Sequence, residues 1–371
     1  MDPADPHAAV RAVEAARCEL THILTTHHHH DHAGGNHALV AAALQSQGRA
    51  LTVVGGARDR VPACTQRVKD GDVVRLGSTA IRVIETPCHT RGHVVYSILR
   101  AGASPSAVSP AAAHGPVVVG SPGGVMAQQP QQQFGTVEAL FSGDTVFVGG
   151  VGAFFHGDAR DMERNLMTAL APCPDDALLL CGHEYTVDNL RFAAWLEPDN
   201  AEVVGTYLAA TARRNLGEST IPSTLGQERR TNPYFRTTDW RLHAAVAQRR
   251  ATMKARQGRT PLQRIGDSVF GGGPATPSRG VGNNRPHSNG TDNAGGGGGN
   301  PLVEVMPPHK LYGQLQELLA TGAWQQFRLK GRTPASQRRR AAAVAAAVEI
   351  GRQNRMRTAA LSGGSPTSSE V

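Results

Sequence analysis

The chain is poor in cysteine, and the cysteines it has are badly placed for bonding. Cys18, Cys64, Cys88, Cys173 and Cys181 are scattered through 371 residues, odd in number and without a C-x-x-C pair. That excludes a disulfide framework and a cysteine-based zinc site, and makes a reducing compartment the expectation. Long apolar runs are also missing: no stretch reaches the ~18 residues that a membrane span needs. The opening Met1-Asp2-Pro3-Ala4-Asp5-Pro6 is acidic and has no apolar signal core. The closing Ser369-Glu370-Val371 is not a peroxisomal address. A cytoplasmic protein with no membrane partner is expected. Charge, finally, is nearly balanced outside one segment. The net charge is +8, but Arg328 to Val371 holds nine Arg/Lys against Glu349 and Glu370, which is +7 of it. The basic balance therefore gives no reason to expect nucleic acid on the folded part.

Hydrophobic residues make up 40% of the chain, enough for a sizeable core. Helical spacing runs over Asp5–Arg17, Asn36–Gln47, Asp188–Leu196 and Glu202–Leu216. Strands are expected at Thr21–Thr26, Leu51–Val54, Gly92–Leu99, Ala139–Phe147 and Ala177–Cys181, with a hairpin or meander over Arg67–Pro87 turning at Asp70-Gly71 and Gly77-Ser78. Strands interleaved with helices, with polar residues at strand ends, predict an α/β sandwich. Three segments stand apart. Gly102–Phe134 is rich in Ala, Pro, Gly, Ser and Gln. Gly258–Asn300 is rich in Gly, Asn and Ser. Arg332–Val371 is a basic, Ala-rich tail. Each reads as disordered insert or tail, although the Arg338–Arg340 run also fits a surface helix for polyanions. The expected division is residues 1–171, carrying insert 102–134; residues 172–331, carrying insert 258–300; and tail 332–371.

The densest chemistry is Thr26-His27-His28-His29-His30-Asp31-His32-Ala33-Gly34-Gly35-Asn36, between a strand and a helix. A bare four-His run also fits a low-complexity tract. Here, however, alternate residues His27 and His29 point the same way from extended chain and face one metal. Asp31 and His32 follow a turn later and serve a second. Imidazole and carboxylate are ligands that Zn, Fe or Mn accept. Three further residues close strands beside Gly or Pro: His89 in T-P-C-H-T-R-G-H, Asp144 in F-S-G-D-T, and His183 in C-G-H-E-Y-T.

Together with I-P-S-T-L and N-P-x-x-R, these motifs resemble glyoxalase II (hydroxyacylglutathione hydrolase) of the metallo-β-lactamase superfamily. The similarity runs from Met1 to about Arg236, apart from the 102–134 insert. The resemblance implies an αββα sandwich followed by a C-terminal helical region. It implies two divalent ions, with His27, His29 and His89 on one, Asp31, His32 and His183 on the other, and Asp144 bridging. His93 is left structural. The implied activity is hydrolysis of S-D-lactoyl thioesters to a free thiol and D-lactate, in methylglyoxal detoxification by a monomer. Water activated by two cations attacks the carbonyl, and Asp31 orients that nucleophile.

Three departures from the family pattern bear on substrate. The family's first strands are absent ahead of Met1, which predicts an unfinished sheet edge and leaves an organellar form open. Tyr185 matches a residue that contacts glutathione, but Ala153 and Phe155 stand where the family has a Lys and a Tyr. Thr321 and Trp324 align with a basic pair for glutathione's glycine carboxylate. Losing charged partners leaves two carriers open: glutathione, with the charge supplied from elsewhere such as Arg328 or Lys330, or a thiol with amidated carboxylates such as trypanothione, as in kinetoplastid members. Competing readings are a nuclease of the same fold, a one-iron persulfide dioxygenase, and an inactive paralogue.

Overall fold

A computed structural model describes residues 1–100, 137–257 and 306–327, and Met356. The expected inserts 102–134 and 258–300 lie outside the described residues, as does the expected tail apart from Met356. The first helix, α1 (Pro6–Ala15), is capped by the Asp5 carboxylate, which accepts from the His7 and Ala8 amides. It is followed by β1 (His22–Thr25), a single turn α2 (His30–Ala33), α3 (Asn36–Gln47), β2 (Thr52–Gly56) and β3 (Gln66–Val68). Strands β1, β2 and β3 form a parallel three-stranded sheet in that order.

The second sheet contains β4 (Val73–Leu76), β5 (Thr79–Glu85), β6 (Val94–Leu99), β7 (Val137–Gly143), β10 (Leu178–Cys181) and β11 (Ser223–Thr224), in the order β11-β10-β7-β6-β5-β4. A small hairpin, β8 (Val146–Phe147) and β9 (Gly150–Val151), follows β7. The residues joined across the antiparallel pair β6–β7 run from Tyr96↔Phe141 to Leu99↔Val137.

Two-residue periodicity along the strands splits their side chains between two layers. Leu24, Val54, Val83, Val94 and Tyr96 fill the space between the sheets. Their neighbours Ile23 and Val53 face α3 through Leu39 and Ala43, while Ile84 and Val95 face the opposite helices. The result is the αββα layering that the resemblance implies. Tyr96, wholly buried, ties the layers by donating to Thr25 O (3.0 Å) and Val54 O (3.2 Å), so its hydroxyl is not left as an unpaired buried group.

The outer layer is built by α4 (Ala159–Arg164), which runs on as a π-helical stretch at Asn165–Leu170, and by α5 (Thr186–Leu196), α6 (Ala201–Asn215), α7 (Leu225–Thr231), α8 (Trp240–Gln257) and α9 (Pro308–Ala320). Leu166, Phe192, Leu242, Leu311 and Leu315 make one core with Leu140 and Leu179 of the sheet. Two polar links close it. Tyr312 Oη donates to Tyr234 O (2.6 Å), and Arg236 grips Glu197 with both guanidinium nitrogens (2.6 and 2.8 Å). Among the described residues no helix is long and apolar enough to cross a membrane.

The strand expected over Ala139–Phe147 is broken. Gly143 has φ +48°, and the Thr145 amide turns back to Ser142 O (3.0 Å). The left-handed glycine ends β7 at that point and delivers Asp144 to the sheet's end.

Candidate metal centre

Every candidate ligand leaves the same end of the two sheets. The first group follows β1. The Thr26 amide and hydroxyl are both held by Asp2, at 2.7 and 2.8 Å. Because Thr26 Oγ1 gives its proton to Asp2, it accepts from His27 Nδ1 (3.1 Å), leaving the Nε2 lone pair of buried His27 free. His29, in extended conformation before α2, puts Nδ1 3.0 Å from that Nε2. The turn of α2 then presents Asp31 and His32. Gly35 is required here: a Cβ on it would lie 2.0 Å from Pro3 O.

The remaining ligands come from later strand ends. His89, after β5, donates from Nδ1 to Ala153 O (3.0 Å) and aims Nε2 at His29 Nδ1 (3.0 Å). His183, after β10, sets Nε2 3.1 Å from His32 Nε2 and 3.3 Å from Asp31 Oδ2. Asp144 stands between. Oδ1 is 3.1 Å from His32 Nε2, and Oδ2 is 3.4 Å from both His89 and His183 Nε2. The groups His27/His29/His89, His27/His32/Asp144 and Asp31/His32/His183 each keep their ligand atoms within 4.8 Å of one another. Four ligands around a zinc ion at 2.0–2.1 Å would sit about 3.3 Å apart. The observed spacings of 3.0–3.4 Å are close to that.

The electrostatics also call for cations. Burial lowers His27, His29 and His89 below the ordinary imidazole range, keeping them in the neutral, ligating form. Burial works the same way on His32, but the carboxylates of Asp144 and Asp2 outweigh it and raise His32 to about 10. A proton is thereby held where positive charge is needed. Burial disfavours the Asp144 anion, but His32 and the other histidines bring its carboxyl below the usual range. Its buried Oδ1 has no donor in hydrogen-bonding geometry. Neutral imidazoles, together with the protonated His32, converge on an ionised carboxylate, and this donor set fits divalent metal.

Three supporting residues surround this cluster. His93, wholly buried, accepts the Asp144 amide at Nε2 (3.1 Å) and shares Nδ1 with Thr86 and Thr145 (both 3.1 Å); burial brings it down to about 3, so it stays neutral. Asp2 holds His32 Nδ1 (3.1 Å). Asp59 takes His28 Nδ1 on one oxygen and Thr90 Oγ1 (2.8 Å) on the other. Sequence reasoning gave no role to Asp2 or Asp59. Asp2 precedes a proline in a segment with a counterpart in the resembling family, while nothing in Ala57-Arg58-Asp59-Arg60 marks the third.

The expected substrate residues divide. Phe155, 64% exposed, lies with its ring 5.0 Å from His89 and 5.9 Å from His29. Tyr185, 49% exposed, stacks on His183 at 4.8 Å and 8°. These two aromatics flank opposite sides of the cluster. Ala153 contributes its carbonyl to His89. Trp324 instead packs in the core near Phe192 and donates to Leu319 O (2.9 Å), while the Thr321 hydroxyl donates to Leu318 O (2.6 Å) at the end of α9.

Residues 184–260 match the family model "Hydroxyacylglutathione hydrolase C-terminus". The cytoplasmic hydroxyacylglutathione hydrolase of Arabidopsis thaliana is 36% identical over 237 residues, which is 64% of this chain and 78% of the plant protein. The chain belongs to the hydroxyacylglutathione hydrolase family. Family members from Synechococcus sp. (36% over 247 residues; 67% of this chain, 83% of theirs) and Gloeobacter violaceus (35% over 246 residues; 66% and 82%) are similar. Among solved structures, a metallo-beta-lactamase from Staphylococcus aureus aligns with 18% identity and a TM-score of 0.38 over 74% of this chain and 60% of its own, too loose a likeness to support an argument.

Proposed function

We propose that this protein hydrolyses S-2-hydroxyacyl thioesters of a glutathione-containing thiol, of which the S-D-lactoyl conjugate is the representative, using two divalent ions. The observation that carries this reading is the pair of ligand triads meeting at Asp144. His27, His29 and His89 would hold one ion, Asp31, His32 and His183 the other, with Asp144 between them. When bound, the ions supply Lewis acidity and make water nucleophilic near neutral pH. His93 fixes the Asp144 backbone, and Asp2 fixes the tautomer and plane of His32. Asp31, exposed beside His183, orients the attacking water. Phe155 and Tyr185 wall the two sides of the mouth and position the thioester. The departing thiolate needs no proton donor, since an ordinary thiol ionises near about 8.5.

The carrier reading rests on the described residues beside the cluster. Ala153 and Phe155 bring no charge to it, whereas Thr321, at the end of α9, and Trp324, in the core, stand away from it. A thiol whose glycine carboxylates are amidated, as in trypanothione, suits this lining better than free glutathione. The test is kcat/KM of the zinc-loaded protein on lactoyl-glutathione and lactoyl-trypanothione side by side. Preference for the amidated carrier is expected. Preference for glutathione would remove the carrier assignment, and activity on neither would remove the thioesterase reading. Asp144→Asn should abolish turnover of whichever carrier is used.

A further inference from the structure

Asp59 is buried at 5% exposure in the loop after β2, and it carries none of the candidate ligand atoms. Its carboxylate is nonetheless the meeting point of two ligand loops. Oδ1 receives His28 Nδ1 and the Arg60 amide (2.9 Å); Oδ2 receives Thr90 Oγ1 (2.8 Å). His28 sits between His27 and His29, its ring edge-on to His29 at 4.9 Å. Thr90 directly follows His89 and is itself fully buried, with its carbonyl receiving the Cys88 amide (3.1 Å). The backbone is equally close: a Cβ on Gly92 would lie 2.3 Å from the Asp59 amide nitrogen. One side chain thus joins the strand-β1 loop to the loop after β5.

Asp59 meets the first loop at His28, between His27 and His29 and ahead of the α2 turn that carries Asp31 and His32, and meets the second at Thr90, next to His89. His32 has its own carboxylate, Asp2, which also holds Thr26 beside His27. We propose that Asp59 is a positioning residue for the His27/His29/His89 metal site alone, clamping its two loops through His28 and Thr90. This inference rests on the metal-site reading given under the proposed function, but not on the substrate. Carboxylates behind ligating residues are worth about 10–100-fold in metal affinity.

The experiment measures zinc affinity by chelator competition in two backgrounds of the full chain. His183→Ala removes a ligand of the Asp31/His32/His183 site; His89→Ala removes one of the His27/His29/His89 site. Asp59→Asn is added to each. The expected result is a loss of about 10–100-fold in the His183→Ala background and no change in the His89→Ala background. Thr90→Val and His28→Gln, which cut one arm each, should give the same selective loss to a smaller degree, and they carry the test if Asp59→Asn does not fold. Equal losses in both backgrounds would make Asp59 a general fold residue and overturn the inference. So would unchanged affinity in both, or a wild-type chain that binds no zinc. A chain that binds zinc with the expected selectivity yet cleaves no thioester would sink the proposed function and leave this inference standing.

Discussion

Gly182→Ala would test the metal centre without touching a ligand. A Cβ there would meet His32 Cε1 at 2.5 Å and Asp144 Oδ1 at 2.6 Å. Ordinary contact begins near 3.4 Å, so each group must retreat by roughly 1 Å. Neither has room: His32 is 1% and Asp144 6% exposed, and His32 is tethered to Asp2. Overpacking of this kind costs about 1–3 kcal/mol in stability. Displacing catalytic groups by about 1 Å costs on the order of 10²-fold in rate, or about 2.7 kcal/mol of activation free energy. The control is Gly217→Ala, where φ is +76° but no atom lies within 4 Å of the added Cβ. Backbone strain alone, about 1–2 kcal/mol, is expected there, with zinc affinity and kcat/KM unchanged. The assays are chelator competition, thermal melts with and without zinc, and steady-state kinetics. A Gly182→Ala protein with wild-type zinc affinity and turnover would refute the placement of His32 and Asp144.

Other outcomes follow from the same geometry. His93→Leu leaves the buried Asp144 amide without an acceptor and should cost about 1–3 kcal/mol in thermal stability, with weaker zinc binding; an unchanged melting curve would contradict the assigned hydrogen bond. Zinc binding at pH 8 should release about two protons, one from His32 at about 10 and one from the water that the ions activate, because burial already holds His27, His29 and His89 neutral. Calorimetry in buffers of different ionisation enthalpy reads that number, and a value near zero would refute it. Raised above the ordinary 6.5, the His32 pKa stabilises the metal-free fold fully below pH 6.5, and this is lost as pH climbs through about 10. Chelated protein should therefore melt at falling temperature over that window. Burial pushes the Cys88, Cys173 and Cys181 thiols up to about 12, so iodoacetamide at pH 8 should spare them in the native protein and modify exposed Cys18, as peptide mass mapping would report.

The parts of the fold legible in the sequence were those with uninterrupted local patterns. Asn36–Gln47 reads as a helix and is one; His22–Thr25 and Leu178–Cys181 lie within their expected strands. The histidine loop was legible because alternation and a following turn act over a few residues. Asp2 and Asp59 were not, because each works through partners 24 to 31 positions away, a distance that only the fold closes. The run Ala159–Leu170 and the helix Trp240–Gln257 escaped because their apolar positions are spaced by Ala, Arg and Asn. Pro308–Ala320 did carry a signal, with Leu311, Leu315 and Leu318 on one buried face. Trp324 was read by alignment as a pocket residue, whereas its burial beside Phe192 places it in the core.

The pairing of Leu99 with Val137 bears on how this gene tolerates change. Leu99 and Val137, which flank residues 101–136 on either side, thus stand next to each other at one end of the strand pair. That junction is at the far end of β6 from His93, roughly 20 Å away along the strand. Closing a long loop rather than a four-residue one costs only about 2 kcal/mol, since the penalty grows with the logarithm of length. The hairpin end is therefore a port where sequence is added or removed at small thermodynamic expense, out of reach of the candidate metal ligands. A circularly permuted chain or a fused reporter domain placed there would inherit an intact catalytic edge.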